Sequence, residues 1–159
     1  MLLSASKCNI KNGNFSVQCD FNLKIGNHLS LFGPSGSGKS SVLLGLAGLL
    51  PVINGELIYD DKSISNIEPK DRPFDLLFQD NNLFPHLTVS KNILLGLGTK
   101  AKMDSQNSNI VNEIIDLVGL SKERDRLPEH ISGGQRSRAA IARSLIRKKP
   151  ILLLDEPFA

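Results

Sequence analysis

The sequence has no tryptophan, one tyrosine, two cysteines and two methionines among 159 residues, and aromatic side chains make up 5% of it. With so little ring surface the chain lacks the stacking platform on which single-stranded nucleic acid is held, and no nucleic-acid partner is expected. Cys8 and Cys19 fit no metal-ligand spacing. A chain of this size builds its core without a disulfide, so both read as reduced packing residues. No apolar run is long either. The stretch from Val42 to Ile53 is about a dozen residues and is broken by Gly45, Gly48 and Pro51, too short for a bilayer span and suited to a buried helix. The amino-terminal "MLLSASKCNIKNGNFSV" has no basic start followed by an apolar run, so no secretory signal is expected. The protein should be cytosolic, or held at a membrane only through a partner. Repeats and low-complexity tracts are also missing.

What is present is ordinary globular material: 40% apolar residues, 22% charged residues and a net charge of +3. Length and composition fit one domain with a core of its own. The positive charge gathers in Arg136, Arg138, Arg143, Arg147, Lys148 and Lys149, which reads as a solvated helix face rather than a surface for nucleic acid or phospholipid.

The first part of the chain alternates in short β-like runs, Ser16 to Ile25, His28 to Phe32 and Leu57 to Tyr59, punctuated by Gly and Asn. The segment from about Asn81 to Arg126 is helical and more polar. Thr88 is placed to cap a helix carrying Val89, Ile93, Leu94 and Leu97 that stops at Gly98. Ile110, Val111, Ile114, Ile115 and Val118 line one face of a second helix, and Gly119 ends it.

The strongest chemical signal is "GPSGSGKS", Gly33 to Ser40, which matches G-x-x-x-x-G-K-[ST] between a strand-like "HLSLF" and a helix-like "SVLLGLAGLL". Gly33, Gly36 and Gly38 let the backbone curl so that its N–H groups point at phosphate oxygens, and a helix amino terminus adds partial positive charge. Lys39 can reach the β- and γ-phosphates, and the Ser40 hydroxyl suits Mg²⁺. The nucleotide-binding set is therefore Gly33, Pro34, Ser35, Gly36, Ser37, Gly38, Lys39, Ser40 and Ser41. By itself this loop leaves kinases, GTPases and ATPases open, although no Asn-Lys-x-Asp guanine reader is present.

The ending narrows the choice. Ile151 to Leu154 is continuously apolar, as for a strand covered on both faces, and Asp155 emerges where ligands sit in open α/β sheets. Asp155 is placed to hold a metal's water shell, and Glu156 to accept a proton from an attacking water. Just upstream, in "HISGGQRSR", Ser132 and Gln135 form a capping-box pattern, and Gly133 and Gly134 bare the backbone of a second anion-binding nest.

"ISGGQRSR" followed by "ILLLDEP" resembles the signature motif and Walker B strand of ABC ATPases, and the motif order along essentially the whole chain is similar to that family. The resemblance implies an α/β P-loop NTPase with a RecA-like core sheet, an amino-terminal antiparallel β portion and an inserted helical subdomain. Residues 1–79 and 136–159 would form the core and 80–135 the helical subdomain. It implies that Gln79, in "LLFQD", binds Mg²⁺ and senses a transmembrane partner, and that ATP is sandwiched in a head-to-tail homodimer between one subunit's phosphate loop and the other's Ser132, Gly133 and Gly134. Phe15 or Phe21 would stack on adenine in place of the family's usual tyrosine. Residues 76–98, with Asn81-Asn82-Leu83-Phe84 and His86-Leu87-Thr88-Val89, are similar to bacterial thiamine-importer ATPases. The implied setting is the cytoplasmic face of the cell membrane, peripheral through permease subunits, with a solute-binding protein acting indirectly. ATPases of iron, polyamine or sulfate importers share much of the pattern. The family continues past the Glu with an Asp-containing loop, a strand and a histidine-bearing loop, so the chain reads as incomplete at its carboxyl end. A truncated nucleotide-binding module without turnover is the alternative reading.

Overall fold

Alternation of apolar and polar residues builds the first sheet. The computed structural model describes residues 2–78 and 83–156. Strands β1 (Leu3–Asn12), β2 (Phe15–Leu23), β3 (Val52–Tyr59) and β4 (Lys62–Ser63) form an antiparallel sheet in the order β2-β1-β3-β4. The β1–β2 hairpin turns through two residues. Gly13, at φ +60°, takes the first central position, where a left-handed backbone matches the twist of the strands. Asp60 and Asp61 are both left-handed in the equally short turn between β3 and β4.

Helix α1 (Lys39–Ala47) packs on β1, and Leu3, Ala5, Ile10, Val42, Leu46 and Leu57 are buried in this unit. At the far end of α1, the buried Arg72 guanidinium donates to the carbonyls of Gly45 (2.9 Å) and Leu46 (2.7 Å), and to those of Ser65 and Ile67 (2.9 Å each). A cation on the last carbonyls of a helix satisfies groups that have no partner inside it and complements the dipole.

The chain divides into two compact units, Met1–Phe74 and Asp75–Ala159. The second is built on helices. It contains α2 (Val89–Leu94), continued by a 3-10 turn at Leu95–Leu97, then α3 (Ser105–Leu117) and α4 (Gly133–Leu145). Strand β5 (Phe74–Leu77) is hydrogen-bonded to β6 (Ile151–Leu154). Val89, Ile93, Val111, Ile115, Leu120, Ala139 and Ile146 belong to its buried core. Helix ends follow the sequence signals. Thr88 accepts from the Lys91 amide, Asp104 from the Asn107 amide, and Gly98 and Gly119 have positive φ just past their helices.

Asn92, fully buried in α2, accepts from the Phe84 amide (2.8 Å) and donates to the carbonyls of Phe84, Leu87 and Thr88 (3.1, 2.9 and 3.1 Å). One amide side chain thus organises the loop 84–88. Nothing in the periodicity marks it.

Two expectations are corrected. His28 to Phe32 forms no strand, and Leu29, Leu31 and Phe32 are exposed, Phe32 by 92%. An apolar pattern becomes a strand only when neighbours pair with it, and no described strand does so here. Strand β6 buries only Ile151 and Leu153, leaving Leu152 and Leu154 on an exposed face. The basic cluster is solvent-exposed at Arg136, Arg138, Arg147 and Lys148, as expected, and its arginines also bond to the protein. Arg136 donates to the Ile131 carbonyl (3.1 Å), Arg138 to those of Val118 and Gly119 (2.9 and 3.1 Å), and Arg147 pairs with the buried Asp75 carboxylate at 2.9 Å. Burial pushes the Arg143 guanidinium below its usual range.

Replacing Asn92 by Ala should lower unfolding stability by about 1–3 kcal/mol, because it removes the partner of the Phe84 amide and of the Leu87 carbonyl, while the Phe84 and Thr88 carbonyls keep their backbone donors. Asn92→Asp should be no better, since it points a carboxylate oxygen at carbonyls. Urea denaturation followed by circular dichroism measures both, and an unchanged midpoint in either variant contradicts the role assigned to Asn92.

Candidate functional site

The glycine-rich loop opens α1 from a left-handed backbone. Gly36 has φ +78° and Gly38, the N-cap, φ +94°. Ser37 donates its amide to the Pro34 carbonyl (3.2 Å) and Val42 to that of Gly38 (2.9 Å), which closes the turn and starts the helix. Lys39 folds back over the loop, its Nζ 2.9 Å from the carbonyls of both Gly33 and Pro34. No acidic side chain lies in the first turn of α1. The positive end of the helix and the Lys39 ammonium are therefore both at the glycine-rich loop, where an anion can be held. Residues 33–37 and Ser40 are exposed.

The floor beneath the loop comes from the β1–β2 hairpin. Phe15, Val17 and Cys19 alternate onto one face of β2, opposite Asn12, Ile10 and Cys8 of β1. A Cβ on Gly38 would lie 2.9 Å from the Phe15 ring and 3.2 Å from Val17, and one on Gly45 only 2.5 Å from Ile10, so both glycines are demanded by close packing. Asn12 also donates to the Ser41 hydroxyl (3.2 Å), and Ser41 is buried within α1. Phe15 is thus next to the phosphate loop and 45% exposed, whereas Phe21 lies opposite Ala5 and is partly buried.

The other predicted residues belong to the second unit. Ser132 accepts from the Gln135 amide (3.3 Å) and donates its own amide to Gln135 Oε1 (2.8 Å), a complete capping box at the start of α4. Gly133 and Gly134 behave differently from Gly38 and Gly45. A Cβ on Gly134 would meet nothing within 4 Å, and one on Gly133 only the Arg136 guanidinium at 3.8 Å. Neither has a positive φ. The chain's own packing therefore has no need of glycine at either position. Asp155 follows β6 and donates its amide to the Leu77 carbonyl (3.0 Å), while Glu156 is exposed with φ +46°, a region non-glycine residues seldom adopt. Gln79, predicted as a catalytic and metal-binding residue, lies outside the described residues, as do Asn81 and Asn82.

The family model described as ABC transporter matches residues 17–159. The chain belongs to the ABC transporter family. Among curated relatives it is similar to the thiamine import ATP-binding protein ThiQ of Photobacterium profundum, 47% identical over 148 residues, covering 93% of this chain and 61% of that protein. ThiQ of Vibrio vulnificus is 45% identical over 140 residues, covering 88% and 60%. ThiQ of Cereibacter sphaeroides is 39% identical over 158 residues, covering 99% and 68%. The chain thus spans about three-fifths of the length of the first of these relatives. Among solved structures it is similar to the ATP-binding cassette MJ0796, in a dimeric post-hydrolysis state bound to ADP and Pi. The TM-score is 0.81 at 28% identity, covering 99% of this chain and 75% of that one. The fold is accordingly the mixed α/β nucleotide-binding fold of ABC ATPases.

Two features of this family member were not read from the sequence. Arg72 sits in "DRPF" as one charge among several, and only the structure brings it to the end of α1. The second unit also holds a cavity of about 560 Å³ lined by Leu77, Phe78, Phe84, His86, Leu87 and Leu95, with Arg143 and the Asp75–Arg147 pair in its wall. Phe84 and His86 meet edge to face, ring centroids 6.0 Å apart. Among the described residues no group of three or more His, Cys, Asp or Glu gathers around a common point, and no helix is long and apolar enough to cross a membrane.

Ser132→Ala should lower stability by about 1 kcal/mol, the usual worth of an N-cap side chain, and Ser132→Thr should restore most of it. Thermal unfolding of the three proteins provides the measurement. Equal transitions for Ser132 and Ala contradict a working cap.

Proposed function

We propose that the chain is the ATP-binding, ATP-hydrolysing portion of a subunit that energises a bacterial ABC importer of thiamine. The observation that carries the nucleotide reading is the phosphate loop, in which Lys39 spans the carbonyls of Gly33 and Pro34 beside an uncompensated positive helix end. Residues Gly33 to Ser41 hold the phosphates of ATP. Phe15, packed against Gly38 and still half exposed, is the residue that stacks on adenine.

Ser40, Asp155 and Gln79 are the residues for Mg²⁺, an assignment supported by the oxygen chemistry of all three side chains. Bound there, the ion supplies neutralisation of phosphate charge. Glu156 accepts the proton of the attacking water, and its exposed position at the end of β6 leaves its carboxylate free to face a substrate. Gln79 positions that water and reports to the membrane partner.

The bare glycines at the start of α4 support a second subunit. Gly133 and Gly134 leave open the space that side chains would fill at the start of α4, and the relative MJ0796 is dimeric. We therefore assign a head-to-tail homodimer in which Ser132, Gly133, Gly134 and Gln135 complete the partner's nucleotide site. The subunit attaches to permease subunits at the cytoplasmic face of the cell membrane. Thiamine as the cargo is supported by the names of the relatives from three genera.

Lys39→Ala should weaken binding of a fluorescent ATP analogue by roughly 10- to 100-fold, the loss of a charged hydrogen-bond donor worth about 1.5–3 kcal/mol. Unchanged affinity overturns the phosphate-loop assignment. For the cargo, the full-length gene should restore labelled-thiamine uptake to a bacterium lacking its own thiamine-importer ATPase. Uptake of sulfate, iron or polyamine in place of thiamine would move the chain to a different importer.

A further inference from the structure

The hairpin face beneath the phosphate loop carries one more rung. Cys8 and Cys19 are direct cross-strand partners, on the same face as the Ile10–Val17 and Asn12–Phe15 pairs that support α1. Cys8 donates to the Glu56 carbonyl at 3.2 Å. Both are free, Cys8 buried and Cys19 half-buried. Directly opposed residues in an antiparallel pair have Cβ atoms about 4.5–5.5 Å apart, close to the roughly 3.8 Å of a disulfide. Sequence spacing gave these residues no role beyond packing, because register is visible only in the folded sheet.

We propose that Cys8 and Cys19 form a reversible dithiol–disulfide couple that closes the hairpin segment 8–19 into a ring and thereby clamps the surface supporting the phosphate loop. The oxidant is a low-molecular-weight disulfide. Cys19, the more accessible thiol, attacks it as thiolate, forming a mixed disulfide and expelling one small thiol. Cys8 then attacks the Cys19 sulfur, and the second small thiol leaves. Two electrons pass from the protein to the oxidant, and the two thiol protons end on the released thiols.

The environment sets the speed of this exchange. Burial, followed by the neighbouring Cys8 and Asp20 charges, pushes the Cys19 thiol up to about 11, and burial raises Cys8 as well. The thiolate is thus a minor species at neutral pH, and the couple responds slowly there. Its oxidation rate should rise about tenfold per pH unit between roughly pH 7 and 10 and flatten near the Cys19 pKa. Drawing the two Cβ atoms together tightens the rung beside Ile10–Val17, which shifts Phe15 and Val17 under Gly38.

The test is native incubation of the reduced chain with oxidised glutathione at pH 9, then denaturation, alkylation and intact-mass measurement. The expected product is a monomer lighter by two hydrogens, with Cys8 and Cys19 peptides linked, and reversible by a phosphine reductant. Cys19→Ser should give no such product. Full alkylation of both thiols, or glutathione adducts that persist on the wild-type chain, would refute the couple. The clamp has a separate readout, which rests on the nucleotide reading proposed above. The oxidised chain should bind the fluorescent ATP analogue about three- to tenfold more weakly, and reduction should restore affinity. Identically treated Cys19→Ser should not change. Equal affinity of the oxidised and reduced wild type would overturn the clamp while leaving the phosphate loop intact. Absence of binding in both states would instead count against the nucleotide reading.

Discussion

Everything proposed for the nucleotide site rests on the close approach of α1 to the β1–β2 hairpin. That approach is possible because two helix positions have no side chain: Gly38 clears the Phe15 ring and Gly45 clears Ile10. Interiors are packed densely enough that a single methyl group at such a contact moves one element off the other. The glycine-rich loop leads directly into that helix through Gly38. Arg72 holds the opposite end of that helix by two carbonyls and joins it to Ser65 and Ile67. The helix is thus fixed at both ends by groups far apart in the chain.

The second unit solves its polar problem with side chains that finish helices. Asp104, Thr88 and Ser132 begin them, and Arg138 on α4 covers the last carbonyls beyond α3. The buried Asn92 does for a loop what these do for helix ends. Each supplies a hydrogen-bond partner to a backbone group at a helix end or in a loop. The ion pair of Arg147 with the nearly buried Asp75 follows the same logic, for a lone carboxylate there would be costly.

Local signals in the sequence proved reliable where the chain decides its own conformation. The helix ends at Gly98 and Gly119, the caps at Thr88 and Ser132, and the glycine-rich turn into α1 follow from backbone preferences acting over a few residues. Non-local decisions were not legible. "HLSLF" has a strand's composition but no hydrogen-bonded neighbour. "ILLL" has the composition of a doubly covered strand and is covered on one face. The acceptors of Arg136, Arg138 and Arg147, which are Ile131, Val118, Gly119 and Asp75, were not legible because the fold brings them together. Of the candidate site, the glycine-rich turn from Gly33 into α1 was legible in the sequence, while the placement of Phe15 against Gly38 is visible only once the hairpin is folded.

The open space above Gly133 and Gly134 has an evolutionary consequence. Glycine is among the poorest helix formers, and alanine in its place stabilises an exposed helical position by about 0.5–1 kcal/mol. Nothing in the chain's own packing opposes that exchange. A population of variants screened only for folding would drift away from glycine at both positions, whereas Gly38 and Gly45 would be retained. Comparing survivors of a folding screen with survivors of a growth screen would therefore separate positions that serve the chain from positions that serve something outside it.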